Sequence, residues 1–255
     1  MKVERPSKYS IFGVKISATT YKNAVDAIIK AAKLREKWCV SALAVHGLVS
    51  GVLDSHLWSI LNDFDLLTPD GQPIRLALNY LYRLKLSDRV YGPFLMMHIC
   101  QRAMEENISI YLYGSHKNVI TPLKLYLLKR FPELRIAGCE PSVFRPLTEI
   151  EDQDFVRRIT ASGAGIVFIG LGCPLQEKFA HAHRQAINAV QVCVGAAFDF
   201  HAGKKKMAPA WMQRNGLEWL YRLTQEPRRL WRRYLFTNGL FVVYFLMQAL
   251  KIKKF

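Results

Sequence analysis

Two periods of apolar residues alternate along this chain. Short apolar, β-branched runs predict strands at residues 11–16, 38–45, 108–113, 134–137, 165–170 and 190–195. Between them apolar positions recur at helical spacing over residues 21–36, 48–64, 121–131, 149–162 and 177–188. In the first of these, Ala24, Ile28, Ile29 and Ala32 share one side. Pro122 stands near the expected first turn of its helix, where a missing N–H is tolerated. Strands and helices in this alternation predict an α/β fold: a mostly parallel sheet flanked by helices. Sheets of that kind bind ligands beyond the carboxyl ends of their strands, so the chemistry is sought in the loops that follow strands.

The last part of the chain departs from that pattern. If residues 227–235 (PRRLWRRYL) form a helix, at about 100° per residue Arg228, Arg229, Arg232 and Arg233 fall in one arc and Leu230, Trp231, Tyr234 and Leu235 in the opposite one. A basic face backed by aromatic and aliphatic residues is the pattern of a helix lying in a membrane interface. Residues 234–250 then carry no charge and are closed by Lys251, Lys253 and Lys254. That run is at the short limit for a span and is diluted by Thr237, Asn238, Gly239 and Gln248. The expectation is an in-plane or shallow helix rather than a span, with a helix docked on the main body as the alternative. The predicted division is a catalytic α/β domain over 1–203 and a basic amphipathic helical appendage over 204–255.

Composition sharpens this picture. Of 255 residues 51% are hydrophobic, enough for a sizeable core and too many for a disordered chain. The 36 Lys/Arg outnumber 20 Asp/Glu, and the excess concentrates after residue 200, where twelve basic residues meet only Glu218 and Glu226. Such a field attracts polyanions: phospholipid head groups, pyrophosphate or nucleic acid. The dense apolar face beside the arginines argues against nucleic acid. The cysteines, Cys39, Cys100, Cys139, Cys173 and Cys193, are odd in number and form no C-x-x-C, which speaks against a zinc ribbon or a disulfide framework and for reduced thiols in the cytoplasm. The opening MKVERPSKYSIFG lacks the apolar stretch of a signal peptide.

Four loops carry candidate chemistry. Thr68-Pro69-Asp70-Gly71-Gln72-Pro73 is a turn braced by two prolines, and Asp70 is a general base, a substrate anchor, or the aspartate of an ordinary Asp-Gly turn. Gly114-Ser115 follows a strand directly, where a backbone N–H can approach a phosphate or a base ahead of a helix, although the pattern is not G-x-G-x-x-G. The stretch from Gly170 to Glu177 ends a strand in Gly170 and Gly172 and opens a helix with Gln176, whose amide suits a sugar hydroxyl or a pyrophosphate oxygen. Glu177 is either functional or a carboxylate favoured by the helix dipole. Asp199 and His201 lie among small and apolar residues, as a buried pair or as ligand contacts, and His46 either caps a helix or faces the same region. There is no H-E-x-x-H and no G-x-S-x-G elbow. Asp63-Phe64-Asp65 has D-x-D spacing, but its apolar surroundings read it as structural, so no metal is expected.

Together TPDGQP, RVYGP, YLYGS, GLGCPLQE and VGAAFDFHAG, followed by APAWMQRNGLEWLYRLTQEPRRLWRRYL, resemble the WecG/TagA/CpsF family of bacterial glycosyltransferases (glycosyltransferase family 26), over residues 11–235. The resemblance implies a Rossmann-like, inverting transferase without cofactor or required metal. It would move a hexose of N-acetylmannosaminuronate, N-acetylmannosamine, glucuronate or glucose type. The donor would be a UDP-sugar and the acceptor a polyprenyl-pyrophosphate-linked saccharide, in teichoic acid, common antigen or exopolysaccharide synthesis. It implies a peripheral place on the cytoplasmic face of the bacterial inner membrane, with the anionic surface as a partner and a homo-oligomer left open. Asp70 stands at the family's proposed general-base position. Arg89 matches the RVxG arginine and Gln176 the PxQE glutamine, both as contacts to substrate or diphosphate. Arg222, Arg229 and Arg232 are the nearest matches to tail arginines that reach the pyrophosphate. Where many members read T-x-N-x-E, this chain has Ser41 to His46, which implies Ser41 and His46 beside the acceptor, and Phe94 replaces a frequent aspartate. A nucleotide-sugar hydrolase and a non-catalytic membrane adaptor are the competing classes.

Overall fold

The computed structural model describes residues 3–253 and 255. Its centre is a six-stranded sheet built from β3 (Cys39–Leu43), β4 (Leu66–Pro69), β5 (Ile110–Gly114), β6 (Ile136–Glu140), β7 (Ile166–Gly170) and β8 (Val190–Cys193). These labels leave β1 (Lys8–Ile11) and β2 (Val14–Ser17) for an antiparallel hairpin outside it. The strand order is β4-β3-β8-β7-β5-β6, and every neighbouring pair is parallel. This is the α/β architecture that the alternating pattern predicts and the Rossmann-like one that the resemblance implies.

Parallel strands must bury both faces, and the alternation within each strand does so. Ile166 and Phe168 point into one apolar layer, Val167 and Ile169 into the other. The first layer is closed by α1 (Tyr21–Lys33), α5 (Gly92–Glu105) and α6 (Lys117–Arg130). The second is closed by the hairpin with α2 (Val45–Leu53), α3 (Ser55–Asp63), α4 (Gln72–Tyr82), α7 (Glu149–Ser162) and α8 (Leu175–Ala182).

Several boundaries differ from expectation, each for a local reason. The strand expected at 11–16 is the hairpin, because Phe12 and Gly13 turn the chain with φ of 52° and 83°. The helix expected at 48–64 is two helices. Asp54 breaks it by accepting the His56 and Leu57 N–H groups at 3.0 and 3.1 Å, which caps α3. Helix α6 starts earlier than expected, so Pro122 lies inside it. Strand β4 and helices α4 and α5 have no counterpart in the expected elements, although Pro73 and Pro93 stand in the first turns of the two helices.

After β8 come α9 (Ala197–His201), α10 (Ala210–Arg214), α11 (Glu218–Gln225) and α12 (Pro227–Ala249). Helix α12 lies against α2. Its Leu230, Thr237 and Phe241 are buried, Phe12 meets the rings of Phe241 and Tyr244 at 5.3 and 5.7 Å, and Gln248 bonds both Ser10 O and Phe12 N at 3.0 Å. The two-faced reading of residues 227–235 is corrected here. A helix this long must bury one stripe on the body, and Leu230 and the half-buried Tyr234 belong to that stripe. Trp231 and Leu235 face outward instead, on the same side as Arg228, Arg229 and Arg232, and Phe236, Val242, Val243 and Leu246 continue the exposed apolar surface. Among the described residues no helix is long and apolar enough to cross a membrane.

Candidate active site

The carboxyl ends of β4, β3, β8 and β7 open towards one region. Strand β4 ends at Pro69, and Gly71, at φ 130°, turns the chain into α4, which leaves Asp70 at the strand's tip. The Asp70 N–H is held by Leu43 O at 3.1 Å and Thr68 O at 2.9 Å, and its carboxylate accepts the Gly92 N–H at 3.3 Å. Gly92 packs tightly here: a Cβ there would lie 3.2 Å from Ala42 Cβ and 3.4 Å from Asp70 Oδ2. Asp70 is half-buried as a residue, and burial of its carboxyl pushes its pKa up to about 7. Arg89 opposes that rise and Glu218 adds to it. A carboxyl of this kind is poised to take a proton near neutrality.

Arg89 is buried and ion-paired to Glu218, with its guanidinium 4.2 Å from the Tyr91 ring centre. Glu218 opens α11, so the C-terminal stretch closes the far side of Asp70. One turn on, Arg222 lies over the Phe200 ring at 5.7 Å, and its charge favours the ionised form of Asp70. Arg233 is half-buried near His46 and Cys173, and burial together with neighbouring Arg229 lowers its pKa. Neither Arg222 nor Arg233 has a carboxylate in ion-pair contact among the described residues. His46 sits in the first turn of α2 with a buried, partnerless Nδ1. Burial and then Arg233 push its pKa down to about 4, so its ring is neutral at pH 7.

Ser41 and Gln176 meet at Glu177. The Ser41 hydroxyl and the Gln176 Nε2 both donate to Glu177 Oε1, at 2.8 and 2.9 Å, while Glu177 Oε2 and Gln176 Oε1 are buried without a partner. Gly195 connects this cluster to Asp70. A Cβ on it would lie 3.3 Å from Gln176 Oε1, and the preceding Val194 carbonyl lies 3.5 Å from the Cβ position of Gly92. Gly114 and Gly170 pair at the ends of β5 and β7. Gly114 has φ 120°, a Cβ would come within 2.7 Å of the Gly170 carbonyl carbon, and Ser115 N–H donates to Gly170 O at 3.0 Å. Gly172 stands in open space.

The WecG/TagA/CpsF glycosyl transferase family model matches residues 9–255. The chain belongs to this family of glycosyltransferases. It is 31% identical over 187 residues to an N-acetylglucosaminyldiphosphoundecaprenol N-acetyl-beta-D-mannosaminyltransferase of Bacillus subtilis (strain 168), covering 73% of this chain and 70% of that one. A protein of the same name from Bacillus spizizenii (strain ATCC 23059 / NRRL B-14472 / W23) is 33% identical over 178 residues, covering 69% and 66%.

Within this family member the other candidates spread out. Asp199 faces Lys205 at 3.6 Å on the flank of α9. Arg229 is held by Glu226, and Arg232 extends over Trp231 at 5.1 Å on the exposed side. His201 donates to or accepts nothing from Asp199; its Nε2 meets Pro93 O at 2.9 Å. Phe94 lines a cavity of about 610 Å³ between α5, α6 and α9, with Tyr126, Arg130, Phe200, His201 and Lys205; Phe200 is also the ring that Arg222 covers. Asp63 and Asp65 lie at the amino-terminal end of β4, where Arg184 binds both. Glu218 and Arg233 are absent from the candidates of the sequence reading. For Glu218 a signal exists: Glu218 and Glu226 are the only acids after residue 200, and each neutralises an arginine.

Proposed function

We propose that this glycosyltransferase moves a hexose from a UDP-sugar to a saccharide carried on a polyprenyl diphosphate, with inversion, using Asp70 as general base. The observation that carries the reading is Asp70 itself: a carboxyl at a strand's carboxyl end, with a pKa raised by burial to about 7 and Arg89 and Arg222 beside it. Asp70 would take the proton of the attacking acceptor hydroxyl as the acceptor oxygen bonds to the anomeric carbon and the bond to UDP breaks. The electron pair leaves with the diphosphate, and the unpaired guanidiniums of Arg222 and Arg233 supply compensating charge. Buried Arg89, engaged with Glu218, would set the field at Asp70 more than grip the leaving group. His46, neutral at pH 7, and Ser41 would border the acceptor.

The relatives' name supplies the first substrates to try: N-acetylglucosaminyl-diphospho-undecaprenol as acceptor and an N-acetylmannosaminyl donor. Ser41, His46 and Phe94 depart from the usual family pattern, so glucuronate, glucose and N-acetylmannosaminuronate donors belong in the same screen. The outward face of α12, with Trp231, Leu235 and Phe236 among Arg228, Arg229 and Arg232, would rest on the anionic cytoplasmic face of the membrane that holds the acceptor. The test is incubation with each UDP-sugar and the lipid-linked acceptor, with products identified by mass. Growth of the acceptor by one hexose supports the reading. Release of UDP and free sugar without acceptor would make the protein a hydrolase.

A further inference from the structure

The buried trio of Ser41, Gln176 and Glu177 carries information about what the cleft can recognise. Gln176 is 3% exposed and Glu177 1%. A carboxylate oxygen only accepts hydrogen bonds, so the amide end 2.9 Å from Glu177 Oε1 must be the NH₂; an amide oxygen there would be repelled. The Ser41 hydroxyl donates to the same oxygen at 2.8 Å. A proton on Glu177 would reside on Oε2, which neither the Ser41 hydroxyl nor the Gln176 amide reaches, so Oε1 stays the acceptor of both. The Gln176 backbone is fixed as well: its N–H donates to Gly172 O at 3.0 Å, and Cys193 Sγ donates to its carbonyl at 3.3 Å. What remains is Gln176 Oε1, buried and partnerless beside Gly195, where a Cβ would lie 3.3 Å from it.

We propose that Glu177 is a positioning residue that fixes the polarity of Gln176, so that Gln176 recognises a hydrogen-bond donor of the nucleotide-sugar, an N–H or O–H, and not its diphosphate. This rests on the glycosyl-transfer reading and narrows it. Phosphate oxygens at neutral pH accept and do not donate, so a diphosphate at this position would face another acceptor. A bound N–H or O–H supplies the partner that the buried oxygen lacks. The donor group belongs either to the base or to the sugar.

Calorimetric titration with inorganic diphosphate, UMP, UDP and UDP-N-acetylmannosamine tests this on the full chain. Gln176→Leu should weaken the nucleotide-sugar by about tenfold or more and leave inorganic diphosphate unchanged. A parallel loss for UMP assigns the donor group to the base, and a loss confined to UDP-N-acetylmannosamine assigns it to the sugar. Glu177→Gln offers Gln176 Oε1 an NH₂ within the protein and lets the amide turn. It should weaken the same nucleotide ligand while diphosphate affinity holds or rises. That second variant carries the comparison if Gln176→Leu melts early. Loss of diphosphate affinity in step with the nucleotide-sugar, or unchanged affinities in both variants, would overturn the proposal while leaving glycosyl transfer intact. Wild-type protein that binds none of the nucleotides would overturn both.

Discussion

Strand β4 has an aspartate just before it and another just after it, and the two are opposites. Asp65 is saturated: its carboxylate takes the Cys39 N–H at 2.9 Å and both Arg184 and Arg5. Among the described residues the Asp70 carboxylate accepts a single long bond, from the Gly92 N–H at 3.3 Å. Burial raises the pKa of both, and Arg184 and Arg5 counter this at Asp65. The same contrast holds between arginines. Arg184 spans Asp63 and Asp65 at one end of the sheet, while among the described residues Arg222 and Arg233 have no carboxylate in ion-pair contact at the other. A charge whose bonds are complete holds the fold; a charge left short of partners, at the end of the sheet where ligands bind, has capacity for a substrate.

The sharpest way to break that contrast is to neutralise each aspartate. Asp70→Asn should cut turnover by roughly a hundredfold or more with the melting temperature and UDP affinity nearly unchanged. Asp65→Ala should do the reverse, costing about 3 kcal/mol of stability because Arg184 loses a buried partner, while turnover per folded molecule holds. Equal activity losses in both would erase the distinction. Next in size, Arg222→Gln with Arg233→Gln should lower turnover on a short water-soluble acceptor by about tenfold or more, since each removes a charge-assisted contact. Arg229→Gln with Arg232→Gln should weaken binding to anionic liposomes and leave that soluble turnover nearly intact, because Arg229 is already held by Glu226. Activity loss in the second pair but not the first would reverse the assignment.

Smaller effects bear on the rim. Trp231→Ser with Leu235→Ser should release the protein from liposomes and spare soluble turnover, as both side chains point away from the body. Retained liposome binding would remove the anchoring role from α12. Excess EDTA should change turnover little; complete loss restored by magnesium would return the diphosphate chemistry to a metal.

Much of this arrangement is legible in the sequence because it depends on local pattern. Five of the six apolar runs, with helices between them, give five strands of the parallel sheet, and Gly114 and Gly170 stand at strand ends because their runs stop there; β4, which carries Asp70 at its tip, lies outside the predicted runs. Long-range partners are less legible. Arg89 reads as a ligand contact, and only the fold brings Glu218 to it across the chain. Arg229, Arg232 and Arg233 are equivalent on a helical wheel, and only docking on α2 turns Arg233 towards His46 while Arg232 stays outside. The faces of α12 are hidden for the same reason: an apolar arc does not say whether it meets lipid or protein, and Leu230 and Trp231 go different ways. The helix break at Asp54 was readable, since an aspartate ahead of a new apolar turn is an N-cap signal.

The most direct test of Asp70 as the base is the single-turnover rate of sugar transfer measured from pH 5 to 9. Asp70 must be ionised to accept the acceptor's proton, and burial holds its pKa at about 7. The rate should therefore be level above that value and fall about tenfold per pH unit well below it, with one proton involved. A rate that stays flat down to pH 5 would contradict a raised carboxyl at the reacting hydroxyl and remove Asp70 from that role.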